Sequence, residues 1–204
     1  KRKEIIMNKS RVEAFTDAVL AIILTIMVLE LKVPDSSQLS AILSELPYLF
    51  SYTVGYLLIG VAWYSHHYMF SKTAGISKRV YWANNFWMFT TSFIPMATAW
   101  IGRDLKAQGP EIFYAIIFSI WTAAYLVLSY VISNDDIKRK QYKKAHDIRK
   151  MKIYRYLTNI KYMTIQTTVL VIILVFKPEF LLVVVLWQIL AFAIWNNDDS
   201  DKLF

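Results

Sequence analysis

The chain has 204 residues, 56% of them hydrophobic and 19% charged, with a formal net charge of +8 and no cysteine. That is somewhat more apolar and less charged than an average globular domain, at about 45–50% and about 25%. Without cysteine there are no disulfides, thiol nucleophiles or Cys-ligated metals, and the redox compartment is not readable.

The arrangement of the apolar residues decides the class. They fall in long blocks with the charges between them, more than one small soluble body could bury. A membrane-spanning helix needs about 20 mostly apolar residues. Six blocks qualify, at roughly 15–31, 46–70, 81–101, 112–133, 156–176 and 180–195. The second ends in the polar run Tyr64-Ser65-His66-His67. The fifth and sixth are joined only by Lys177-Pro178-Glu179, which suits an antiparallel helical hairpin with Pro178 at a helix start. The runs are continuous, so strands are not expected: a membrane sheet would alternate and close into a barrel. The predicted fold is all-α, a single six-helix transmembrane domain over residues 1–204. The basic N-terminus leads into a long apolar block without a small-residue cleavage site, so no cleavable signal peptide is expected.

Orientation follows from Lys and Arg in the short loops. The N-terminus, the loop after span two and the 134–155 segment together hold seventeen basic residues; Lys32, Arg103, Lys106 and Lys177 make four on the other side. Both termini and the basic loop 134–155 are therefore expected in the cytoplasm, with the chain multi-pass in the cell membrane. Tyr48, Tyr52, Tyr81, Trp82, Trp100, Tyr154, Tyr156 and Trp195 gather near span ends, as headgroup-layer aromatics do. The 134–155 segment reads as a cytoplasmic helical extension or a solvated loop drawn to anionic lipid, not a nucleic-acid site. The acidic 196–204 tail is expected to be disordered.

The first span carries the sharpest signal. It opens Arg11-Val-Glu-Ala-Phe15-Thr16-Asp17 and continues Ala-Val-Leu-Ala-Ile22-Ile-Leu-Thr25-Ile26-Met-Val-Leu29-Glu30. An acid inside a membrane helix needs a partner or water. Asp17 is either an interfacial residue or a member of a polar cluster. Ile22, Ile26 and Leu29 share one helical face, with Thr25 at its border. Such a stripe serves either helix packing or a pore.

The run Arg11-x-x-x-Phe15-Thr16-Asp17 resembles the Arg-x-x-x-Phe-Ser-Asp signature of the transmembrane protein 175 family of potassium channels, with Thr16 keeping the hydroxyl. Trp82-Ala-Asn84, Phe93-Ile-Pro95 and Trp63 with His66 or His67 extend the likeness across the first three spans. Spans four to six match only in number and hydropathy. The resemblance implies a homotetramer around one pore lined by the first helix of each subunit. It places Ile22 at the narrowest apolar ring, Thr25 at an adjacent hydroxyl ring, and Ile26 and Leu29 at further apolar rings. It also implies a polar network of Arg11, Asp17, Asn84 and one of His66 or His67 at the cytoplasmic ends of the first three helices.

Thr53-Val54-Gly55-Tyr56 spells most of an ordinary potassium-channel filter, but Leu57 follows it and the segment lies inside a continuous apolar run. Filter carbonyls require non-helical backbone, so a helix is expected here. Gly55 and Gly60 read as sites of close helix packing. His66 and His67 are adjacent and so diverge on a helix, which excludes a shared zinc site. No phosphate loop or nucleophile motif is present, so no enzyme is expected.

The sequence thus predicts a potassium-selective cation channel, with K+ as permeant ion and membrane lipid as surroundings. It predicts no cofactor, no resident metal and no nucleic-acid partner. The competing readings are a non-conducting membrane scaffold and a secondary transporter, which would favour inverted repeats and broken helices; neither feature is expected here, Pro95 being the only proline well inside a span.

Overall fold

The computed structural model describes residues 7–195, without the side chains of Ile194 and Trp195. The expectations for Lys1, Arg2, Lys3, the Trp195 side chain and the 196–204 tail lie outside the described residues. The described chain is helical, apart from one antiparallel bridge between Met7 and Ile76.

Asn8 starts α1 (Lys9–Leu29) by accepting the Arg11 N–H on its side chain. Val12, Thr16, Leu20, Ile23 and Met27 are its buried residues. Their spacing of three or four places them on one stripe. A 3-10 segment (Leu39–Glu45) leads into α2 (Leu46–Lys72), which has Pro47 in its first turn. Thr53–Tyr56 lies inside this helix, with Thr53 Oγ1 donating to the Leu49 carbonyl at 2.8 Å. The filter-like spelling is therefore helical.

The third expected span, 81–101, is two helices: α3 (Lys78–Thr91), capped by Ser77, and α4 (Ile94–Arg103). Pro95 explains the break. It has no N–H for the Thr91 carbonyl one turn back, and its ring crowds that turn. The hydroxyls of Thr90, Thr91 and Ser92 bond back to the carbonyls of Trp87 and Phe89 there. The long α5 (Gln108–Lys138) has 31 residues, or about 46 Å at 1.5 Å per residue. It outreaches a hydrocarbon core of about 30 Å.

The 134–155 segment, expected as a solvated loop or a helical extension, is largely helical. It comprises the end of α5, then α6 (Tyr142–Lys150), then the start of α7 (Lys152–Thr158). The Ala145 and Ile148 side chains of α6 are buried, which holds this basic helix to the body. Lys140, at φ 61°, makes the turn between α5 and α6. The fifth expected span is also interrupted. α7 meets α8 (Ile160–Phe176) at a bend of 77°. Asn159 sits at the elbow and caps α8 by accepting from the N–H groups of Lys161 and Tyr162. A short 3-10 turn (Pro178–Phe180) leads to α9 (Leu181–Trp195).

Among the described residues, three segments can each cross a membrane by length and composition: α1, the Leu39–Lys72 unit and α5; α7 with α8 makes a fourth if the bent pair counts as one. The protein is an all-helical, multi-pass membrane protein. Within it, α3 lies on α5, α2 on α4, and α1 covers α2, α3 and α4, while α9 packs on α2. α8 is peripheral and has no fully buried residue. In lipid, such contacts are held by close packing and hydrogen bonds more than by the hydrophobic effect.

Gly55 shows that closeness directly. A Cβ there would stand 2.6 Å from Met27 Cε and 2.8 Å from Thr98 Oγ1, where α1 and α4 approach α2. Gly60 differs from expectation: nothing lies within 4 Å of where its Cβ would be, so no helix packs against it. At the far end of α2, residues 73–77 are tied to the end of α5. The Asp136 carboxylate accepts from Thr73 Oγ1 (3.2 Å) and Ala74 N–H (3.1 Å), and Ser77 donates to Asp135. The Met7 N–H donates to the Ile76 carbonyl at 2.8 Å and attaches the start of α1 to this junction.

Candidate ion pathway

α1 has two faces of opposite character. Its buried stripe packs into the subunit. Opposite lie Arg11, Phe15, Ala18, Ile22, Thr25, Ile26 and Leu29, all exposed, with Ile22 at 57% and Leu29 at 80%. The four residues expected along a pore thus share a face that the rest of the chain leaves uncovered. Thr25 Oγ1 donates to the Ile22 carbonyl at 2.8 Å. Its proton is used within the helix, and the oxygen presents lone pairs outward, the polarity a cation requires.

Behind that face the buried stripe is fixed by hydrogen bonds. Asn84 of α3 donates from Nδ2 to Thr16 Oγ1 at 2.8 Å, and its Oδ1 lies 2.7 Å from His66 Nε2 of α2. An amide oxygen only accepts, so His66 carries its proton on Nε2. Thr16, His66 and Asn84 are all buried. The His66 ring is stacked 5.0 Å from Trp87 and 4.0 Å from Phe70. Of the two histidines the sequence left open, His66 is therefore the one bonded to Asn84; His67 stacks on Trp63 at 5.6 Å.

Asp17 lies elsewhere. It is exposed, and its carboxylate accepts from Trp63 Nε1 at 2.8 Å. Arg11 and Phe15 stand on the exposed face. Of the residues expected in one network, hydrogen bonds join His66 and Asn84 to Thr16 and pair Asp17 with Trp63. The reason is angular. Thr16 and Asp17 are about 100° apart on the helix, so when Thr16 points into the core its neighbour cannot. Sequence reasoning passed over Thr16 because only the charged residues of the signature seemed to need partners. The hydroxyl at that position was the available signal.

Toward the other end of α1, a crevice of about 560 Å³ separates it from α4, with Ile26, Glu30, Met96, Trp100 and Arg103 on its walls. Glu30 and Arg103 bring opposite charges to the end of the exposed stripe.

The signature and both faces of α1 lie within the part of the chain that known proteins share. The profile of the TMEM175 family, described as endosomal/lysosomal potassium channel TMEM175, matches residues 11–95. A potassium channel of a Chryseobacterium species is 39% identical over 139 residues, covering 68% of this chain and 72% of that one. The chain belongs to the TMEM175 family. A Streptomyces collinus potassium channel is 31% identical over 119 residues, 56% of this chain and 58% of its own length. The human relative, an endosomal/lysosomal proton channel TMEM175, is 28% identical over 144 residues, of which the match spans 29% of its length. A solved structure, the lysosomal potassium-selective channel TMEM175 homolog from Chamaesiphon minutus, superposes with a TM-score of 0.67 at 23% identity. The match covers 93% of this chain and 98% of that one. At that identity the likeness speaks to fold.

TMEM175 proteins are ion channels and not enzymes. The match at residues 11–95 takes in α1, α2, α3 and the first residues of α4 through Pro95, the same elements that carry the exposed stripe and the His66–Asn84–Thr16 chain.

Proposed function

We propose that this TMEM175-family chain is the subunit of a homotetrameric, potassium-preferring cation channel, with α1 of each subunit lining a central pore. The observation that carries the reading is the double commitment of α1. One face is fastened to the subunit by Thr16 and a buried stripe, while Ile22, Thr25, Ile26 and Leu29 face outward. A purely lipid-facing stripe gains nothing from Thr25 in its middle and Arg11 at one end. A stripe facing a water-filled axis does.

In this reading the subunit crosses the membrane six times, with α3–α4 and α7–α8 as interrupted crossings and α9 as a short one. Both termini and the 134–155 segment lie in the cytoplasm of a plasma-membrane protein. Ile22 forms the narrowest ring, which excludes water at rest and gates by dewetting. Thr25 offers oxygens beside that ring. An ion passing an apolar constriction sheds part of its water, and the larger K+ does so at lower cost than Na+ because the same charge is spread over a greater radius. Glu30 raises cation concentration at the outer mouth. No cofactor is needed, and K+ passes down its gradient.

Recording from the purified protein in planar bilayers tests this. Discrete steps with a reversal potential near that of K+ are expected in mixed K+ and Na+ solutions. Slow saturable flux without steps marks a secondary transporter instead, and no flux marks a scaffold.

A further inference from the structure

We infer that each subunit holds, behind the Thr16–Asn84–His66 chain, a binding site for a neutral amphiphile with one hydroxyl head group, an alcohol or phenol taken from the bilayer. A cavity of about 60 Å³ lies where α2, α5, α7, α8 and α9 meet, and a second of about 160 Å³ runs along α5 and α8. Phe118, Thr122, Leu157 and Gln166 line both, so the two are neighbouring chambers. No charged side chain lines either one.

Polar atoms without partners gather here, Thr122 and Gln166 on the shared wall and Tyr125 in the smaller chamber. Thr122 Oγ1 and Gln166 Oε1 are buried and make no hydrogen bond. The Tyr125 hydroxyl is buried beside Ser65 without a well-formed bond. A helical Ser or Thr ordinarily donates to a carbonyl one turn back, as Ser119 and Ser129 of the same helix do. Thr122 leaves that option unused and turns its hydroxyl to the cavity.

Buried polar groups of native proteins are almost always matched. Ser65, Tyr156 and Gln188 also reach the smaller chamber and Ser119 and Thr167 the larger, but most of the lining, Leu58, Ala62, Leu126, Met163 and Leu170 among it, is apolar, and apolar spaces do not hold water. Unpartnered polar atoms gathered on a mainly apolar wall fit a molecule built the same way: a hydroxyl for Thr122, Gln166 and Tyr125, and a hydrocarbon body for the apolar lining. The absence of charge on the walls selects a neutral head. The source is the bilayer, because α8, which forms one side, buries no residue fully and exposes Ile165, Val169 and Ile172.

The site also touches the pore helix through aromatic rings. Trp121 and Tyr125 of the wall lie 6.5 Å and 6.0 Å from Trp87. Trp87 stacks on His66, which bonds Asn84, which bonds Thr16 of α1. An occupant that moves Tyr125 or Trp121 therefore shifts the restraint on α1. This coupling rests on the channel reading above; occupancy of the site does not.

A diazirine-bearing octanol, photoactivated on the full-length protein in liposomes and mapped by mass spectrometry, tests the site. Adducts are expected on Thr122, Tyr125, Tyr156 or Gln166, competed away by excess 1-octanol. Ala62→Phe, which fills the smaller chamber, should abolish those on Tyr125 and Tyr156. The double variant Thr122→Val with Gln166→Leu keeps the volume and removes head-group partners. It should cut wall labelling by about fivefold, the worth of roughly one hydrogen bond, and it decides the matter if Ala62→Phe does not fold. Adducts confined to Ile165, Val169 and Ile172, wall adducts indifferent to competitor and variants, or chambers that take up only water each overturn the proposal. K+ flux that responds to 1-octanol in the wild type and not in Ala62→Phe supports the coupling. Specific wall labelling in a protein with no flux counts against the channel reading and leaves the site standing.

Discussion

Asn84 and Thr16 are 68 positions apart in the chain and 2.8 Å apart in the fold, the amide of one donating to the hydroxyl of the other. That bond, with His66 on the far side of Asn84, fixes the rotation of α1 about its own axis. Rotation decides which residues α1 presents outward, so this contact sets the composition of the exposed stripe.

Asn84→Leu keeps the shape and removes both bonds. It orphans the buried Nε2–H of His66 at a cost of about 1–3 kcal/mol. A lowered thermal midpoint of the purified assembly is expected. Thr16→Ser, which retains the hydroxyl, should stay near wild type. Equal midpoints for all three proteins would show that the chain contributes nothing to stability.

Ile22→Asn places an amide at the proposed constriction, where it can hydrogen-bond water. Larger leak current and weaker discrimination of K+ from Na+ are expected in bilayer recordings. Leu24 lies about 160–200° around the helix and packs against the core, so Leu24→Asn should lower assembly yield more than selectivity. Unchanged conductance and selectivity in an assembled Ile22→Asn protein would remove Ile22 from the pore.

Two glycines of α2 make opposite predictions. Gly55→Ala forces Met27 and Thr98 to move, and such overpacking typically costs about 1–3 kcal/mol. Gly60→Ala meets open space and gains helix propensity of about 0.5–1 kcal/mol. Paired thermal unfolding curves should separate in that order, and the reverse order contradicts the packing described for α1, α2 and α4.

Asp17 and Trp63 join α1 to α2 at the end of the signature. Trp63→Phe removes the indole donor and keeps a ring beside His67. The bond lies at an exposed position, so a stability change under about 1 kcal/mol is expected. Any change in current at unchanged assembly assigns the pair to gating. A large loss of assembled protein speaks for a structural role.

Topology is testable with single cysteines in this cysteine-free chain. Ser133 is buried and accepts a bond from Arg149 at 2.6 Å, which makes it a poor labelling site. Lys143 and Ser36 are exposed. Lys143→Cys and Ser36→Cys should react with an impermeant reagent from opposite sides, as the basic-residue asymmetry requires. Reaction of both from one side overturns the orientation.

The sequence by itself determined that this protein is helical and membrane-embedded, because hydropathy is a sum over neighbours in the chain and a lipid-spanning backbone must satisfy its own hydrogen bonds. It determined, through spacing alone, that Ile22, Ile26 and Leu29 share a face. The signature around Arg11, Phe15 and Asp17 pointed to the family. Only the tertiary structure decided that Thr16 and not Asp17 reaches Asn84, and that His66 and not His67 does. Those choices depend on the rotation of three helices against one another, and adjacent residues differ by about 100° in the direction they point. Likewise the break before Pro95 and the elbow at Asn159 sit inside blocks that read as continuous. An apolar count does not register a missing N–H or a cap, whereas the backbone responds to both.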